Sequence, residues 1–296
     1  TTIEVDNSYR LRLHLDNINL PAGAKLWVSS NGDEVVGPFD MQLASPGGDL
    51  WTPSVAGPEI RLLVLLPESH PFASFSIDKV SETFRLNKSN EPITGPEDGD
   101  LSCLQQSLCT GLDTFAPIAE VERAIGRMEW MIPGTTDQVG LCTGGLINDT
   151  DGSTTIPYFL TANHCYNNED NSVTLAEFQQ IASTLEVYWD YAPDGFDGTK
   201  PDLGTLERSS GATVKATGVP ADFLLLELSA IPANRYFLGL DLSDAVIAPG
   251  STLHRVHHPG GDVQSYSQTT VMSGAQACGE DWTTETHIWH SSVIGG

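Results

Sequence analysis

Apolar and polar positions alternate over residues 8–15, where Leu11, Leu13 and Leu15 interleave with Arg10, Arg12 and His14. A period of two predicts a strand with one buried face. Residues 25–29 form a second short strand that runs into Asn31-Gly32, a pair that tolerates the positive φ of a tight hairpin turn. Further apolar stretches at 59–66 and 72–80 are punctuated by Pro and Gly. Residues 1–86 are therefore expected to fold as a small β-sandwich. Residues 87–100, NKSNEPITGPEDGD, are polar and acidic with two prolines and two glycines, and read as a linker.

From residue 101 to 296 the pattern remains mostly β. TLAEFQQIASTL is the exception: Thr174 with Glu177 three positions on makes a capping box, and Leu175, Phe178 and Ile181 share one helical face. Residues 185–191, LEVYWDY, return to alternation, and DFLLLELS at 222–229 is a continuous apolar run suited to a strand buried on both faces. This second unit is expected to be a β-barrel or a sandwich, which makes the whole chain all-β.

Composition narrows the function. Lys and Arg number 14 against 39 Asp and Glu, a formal net charge of −25. Nucleic-acid binding relies on Lys and Arg at phosphates, so no nucleic-acid partner is expected, whereas basic peptides would be drawn in by the field. No apolar run is long enough to cross a bilayer, and the first residues, TTIEVDNSYR, lack the charged and apolar regions of a leader. Cys103, Cys109, Cys142, Cys165 and Cys278 show no C-x-x-C pairing, so disulfides in an oxidising compartment fit them better than zinc. Their odd number leaves one without a partner in this chain.

Candidate chemistry centres on YFLTANHCYNN, residues 158–168. His164 follows a short apolar strand at the point where it gives way to a polar loop. An imidazole there can act as a general base near neutral pH, given a nucleophile on one ring nitrogen and a carboxylate on the other. The residues C-T-G-G-L and F-L-T-A-N-H-C resemble the pattern in which trypsin-like serine proteases carry their catalytic histidine and its flanking disulfide. The usual form is L-T-A-A-H-C, from which Asn163 departs. With SCLQQSLC, VYWDY, GATVKATGVPADFLLLEL and HHPGGD in order, the region from residue 101 resembles bacterial lysyl endopeptidases.

That resemblance implies a trypsin-like double β-barrel over residues 101–296, following a propeptide-like sandwich in a secreted bacterial zymogen. It implies a Cys142–Cys165 disulfide, His164 as general base and Asp222 as the carboxylate that orients it, with Asp202 in PDLGTLE as the competitor. It also implies a Gly-x-Ser-Gly turn for the nucleophile. No such turn follows Asp222. The expectation is a chain truncated before its serine, a fragment with an incomplete second barrel; a natural inactive homologue serving as a binding or adhesion module is the alternative. Substrates would be proteins or peptides, the protein a monomer without cofactor or metal. A metal-dependent hydrolase built on His254, His257, His258, His287 and His290 is a third reading, disfavoured because HHPGG occurs in the protease relatives as a strand-to-turn segment.

Overall fold

The computed structural model describes residues 1–32, 34–83, 105–107, 110–111, 114–135, 138–151, 153–167, 173–195, 199–241, 247–273 and 290–295. The expected linker at 87–100 and the cysteines Cys103, Cys109 and Cys278 lie outside the described residues.

The first unit contains β1 (Thr2–Glu4), β2 (Arg10–Asn19), β3 (Lys25–Ser29), β4 (Val35–Phe39), β5 (Leu50–Trp51), β6 (Val55–Ala56), β7 (Glu59–Leu65) and β8 (Ser74–Thr83). One antiparallel sheet runs β1-β7-β3-β4; in the other, β2 pairs with β5, β6 and β8. Leu11, Leu13 and Leu15 of β2 pack against Leu26 and Val28 of β3 and Ile60 and Leu62 of β7. This is the expected sandwich. Burying each such aliphatic side chain contributes about 1.5–3 kcal/mol.

The second unit contains β9 (Gln105–Gln106), α1 (Ile118–Glu122), β10 (Ile125–Met131), β11 (Val139–Leu146), β12 (Tyr158–Thr161), α2 (Leu175–Ser183), β13 (Glu186–Trp189), β14 (Arg208–Ser210), β15 (Ala212–Gly218), β16 (Phe223–Leu228), β17 (Thr252–His257), β18 (Ser265–Ser273) and β19 (His290–Gly295). Seven strands form a curled antiparallel sheet in the order β14-β13-β10-β11-β12-β16-β15. A second sheet joins β17, β18 and β19, with β9 also paired to β18, and stays open among the described residues. Helix α2 starts with the expected capping box of Thr174 and Glu177 and drops Phe178, Ile181 and Ala182 into the core beneath the sheet. Strand β16 differs from the reading of its sequence: Leu224, Leu226 and Leu228 are buried, while Phe223, Leu225 and Glu227 are half-buried. The core covers one face of this strand only, so a continuous apolar run here marks an alternating strand.

The larger difference concerns β2, expected to bury one face only, which meets β13. Arg10, Arg12 and His14 are all buried, as are Glu186 and Tyr188. The two units cover these faces with each other. Glu186 accepts from the backbone N–H of Ser54 (3.0 Å), the Ser54 hydroxyl (2.7 Å), Tyr188 Oη (3.1 Å) and Arg208 Nη1 (3.1 Å). Arg12 lies 3.7 Å from the same carboxylate and donates to the Thr184 carbonyl at 2.9 Å. Arg208 reaches back to Glu34 at 2.6 Å, which also receives Arg10 at 3.0 Å. The Tyr188 ring lies within 6 Å of three guanidinium groups, those of Arg10, Arg127 and Arg208, a cation–π arrangement in a desolvated setting.

Burial alone would push the Glu186 pKa up, yet the charges of Arg12, Arg208 and Arg10 and the Ser54 hydrogen bond outweigh it and bring the value down to about 2. Breaking one partner of such a buried set leaves uncompensated charge and costs about 3–5 kcal/mol. Glu186→Gln is therefore expected to lower unfolding stability by about 3 kcal/mol in urea at pH 7. The folded pKa lies below the ordinary 4.5, so the contribution of Glu186 is fully present above that value and is lost as pH falls toward 2. Unfolding curves taken across that window should slope in the parent and flatten in the variant; coincident curves would mean the network holds nothing.

Candidate active site

Strand β12 ends at Thr161, whose hydroxyl donates to the Thr143 carbonyl of β11 at 2.8 Å. The chain then makes one tight turn over Asn163–Cys165. Tyr166 anchors the far side, buried against Trp130 and Phe178 with ring centroids 5.0 and 6.0 Å away. Cys165 is bonded to Cys142 of β11, with Cα atoms 6.2 Å apart. Between these anchors the His164 side chain is left 71% exposed.

Asp222 comes from the other side, in the turn that joins β15 to β16. Its N–H donates to the Val219 carbonyl at 3.0 Å and its φ is +44°, the left-handed region that Asp tolerates better than most residues. Glycine at 218 matters to this hairpin, because a Cβ there would stand 2.5 Å from the Phe223 ring. The Asp222 carboxylate grips His164 twice: Oδ1 accepts from the backbone N–H at 2.9 Å and Oδ2 from ring Nδ1 at 2.6 Å. An acceptor at Nδ1 places the proton of the neutral ring there. Nε2 then carries the lone pair at the exposed edge, where a hydroxyl proton could be taken.

The other candidates sit elsewhere. Asp202 caps the short turn Leu203–Thr205, accepting from the Gly204 N–H at 2.9 Å. His254 is engaged with Tyr266 Oη at 2.6 Å and stacks on Phe115. Burial and nearby Arg255 push His257 down to about 4, and burial does the same to His258, whose Nδ1 contacts the Asp262 carbonyl at 2.9 Å. His287 lies outside the described residues. Among the described residues one trio brings metal-type atoms together, Cys142, His164 and Cys165, and its two sulfurs are bonded to each other. Only one imidazole remains there to act as a ligand. Sequence reasoning noted Asn163 as a departure and passed over Thr217; the signal was there, a polar side chain placed beside the histidine where alanine is usual.

Residues 99–296 match the family described as lysyl endopeptidase, C-terminal domain. The chain belongs to that family. It is a serine protease family, and the lysyl endopeptidase of Pseudomonas aeruginosa is 26% identical over 296 residues, which cover 97% of this chain and 60% of that protein. The chain thus spans about 60% of the length of this curated relative. Among solved structures it is similar to an M. tuberculosis protease in its active form (TM-score 0.35, 15% identity, 60% of this chain and 59% of that one). A serine endoprotease from Yersinia pestis is similar at TM-score 0.35 and 12% identity, over 56% of this chain and 46% of that one. No helix among the described residues is long and apolar enough to cross a membrane.

In this lysyl endopeptidase relative the Cys142–Cys165 bond closes the segment that carries His164. Replacing both cysteines by serine is expected to cost about 3 kcal/mol, the loop-closure entropy returned to the unfolded chain. Urea midpoints of the double variant and of parent protein treated with reductant should fall together; a reductant shift with no matching shift in the variant would contradict the assignment.

Proposed function

We propose that His164 and Asp222 are the base and its orienting acid in a secreted serine endopeptidase that cleaves peptide bonds on the carboxyl side of Lys. The observation that carries this reading is the double grip of one carboxylate on the backbone and ring of an exposed histidine. In the reaction, Nε2 of His164 would take the proton of a serine hydroxyl as its oxygen attacks the scissile carbonyl, then hand that proton to the departing amine. Asp222 would hold the ring in register and stabilise the imidazolium formed between those steps. The nucleophile is a serine that these 296 residues do not supply in a Gly-x-Ser-Gly turn after Asp222. No cofactor enters this chemistry.

Lysine as the cleaved residue is favoured by the family match and by the name of the Pseudomonas relative, and a net charge of −25 would concentrate basic substrates near the surface. Export fits the Cys142–Cys165 disulfide, which persists in oxidising compartments.

Two measurements test the reading. Residues 1–296 alone should take up no serine-directed fluorophosphonate and turn over peptides about a million-fold more slowly than a form bearing the serine. The gene product with whatever residues follow 296 should be labelled, prefer Lys over Arg, and lose about 10⁴-fold in kcat on Asp222→Asn. Labelling of the 296-residue chain, or an Asp222→Asn variant of unchanged kcat, would overturn it.

A further inference from the structure

The His164–Asp222 contact is short but lies in water. Its two side chains are 71% and 28% exposed. Exposed pairs of this kind contribute little to holding geometry, because solvent competes for every donor and acceptor. Asp222 moreover stands on a turn residue with left-handed φ, which has no strong conformational preference for that position. Something beneath the pair has to fix it.

We propose that Asn163 and Thr217 are positioning residues that tie the two halves of the pair together from below. Asn163 directly precedes His164 and is 3% exposed. Its Nδ2 donates to the Thr217 hydroxyl of β15 at 2.6 Å, and that hydroxyl donates to the carbonyl of Phe223 at 3.1 Å. Phe223 directly follows Asp222. A continuous hydrogen-bonded bridge thus joins the residue before the imidazole to the residue after the carboxylate, with one half-buried hydroxyl at its centre. On its other side Asn163 Oδ1 accepts from Asn167 Nδ2 at 3.0 Å, which fixes the amide so that its NH₂ faces Thr217. This bridge is less open to water than the exposed pair, with its amide end at Asn163 buried, and there a hydrogen bond is stronger and an unmade one costly. Alanine at position 163 has no group to make it, so the departure from L-T-A-A-H-C is the feature that builds the brace.

The inference rests on His164 and Asp222 acting as a pair. Its test reads the pair directly in the 296-residue chain. The Nδ1 proton of His164 is followed by NMR, assigned by its loss in His164→Gln, and its exchange with water is measured beside the thermal midpoint. Thr217→Val removes the hydroxyl with little change of shape, Thr217→Ser keeps it, and Asn163→Ala removes the other partner. Exchange should be slow in the parent and in Thr217→Ser, and about tenfold faster in Thr217→Val and Asn163→Ala while their spectra remain those of a folded chain. A lower midpoint with unchanged exchange in both would make the bridge merely structural and overturn the proposal. Absence of the bonded Nδ1 proton in the parent itself would remove the pair, and the proposed function with it.

Discussion

One buried carboxylate holds the chain together as a single body. Glu186 stands on β13 where the sandwich meets the seven-stranded sheet, and its partners come from both: Ser54 and Arg12 from the first unit, Tyr188 and Arg208 from the second. Because Arg208 also binds Glu34 and Glu34 binds Arg10, no charge in the cluster can leave with one unit without stranding another. Apolar interfaces slide and tolerate substitution; a closed set of buried charges does not, since each arrangement but one leaves a desolvated charge unpaired. This fixes how the sandwich sits on the sheet.

Where it sits bears on what it can do. The contact is made through β13 and β14, at one edge of the seven-stranded order, while His164 and Asp222 arise from the end of β12 and the turn before β16, three strands and more away. The imidazole accordingly stays exposed with the sandwich docked. A first unit seated this way leaves the His164 side chain open.

Much of this was legible in the residues. The strand at β2, a hairpin after β3 and the capping box of α2 are local signals, set by side-chain spacing and backbone preference, and the structure has all three, although β2 is buried throughout residues 10–15 and the hairpin closes on Ser29 and Val35 without positive φ at Asn31 or Gly32. His164 and Asp222 could be singled out because their neighbours carry a recognisable pattern, and the structure brings their side chains to 2.6 Å. The partners of Arg10, Arg12 and Glu186 could not be read. Each of those residues alternates with apolar neighbours as a solvated face would, and partners between 24 and 172 positions away turn that face into an interior. Thr217 was opaque for the same reason: an ordinary polar residue 54 positions from Asn163 becomes informative once a hairpin lays one beside the other.

The two carboxylates at the centre of this structure show how surroundings divide one chemical group between two tasks. Glu186 is fully buried with donors on both oxygens and guanidinium groups around it, so its proton affinity is driven far from neutrality and it serves as a fixed anchor. Asp222 is partly exposed and spends both oxygens on a single residue. Both of its contacts are therefore made to one histidine. A fully buried aspartate would hold the ring more tightly. An entirely solvated one would leave the ring free to turn. Asp222 stands between these limits, 28% exposed at its turn and followed by Phe223, whose carbonyl accepts from the half-buried Thr217 hydroxyl.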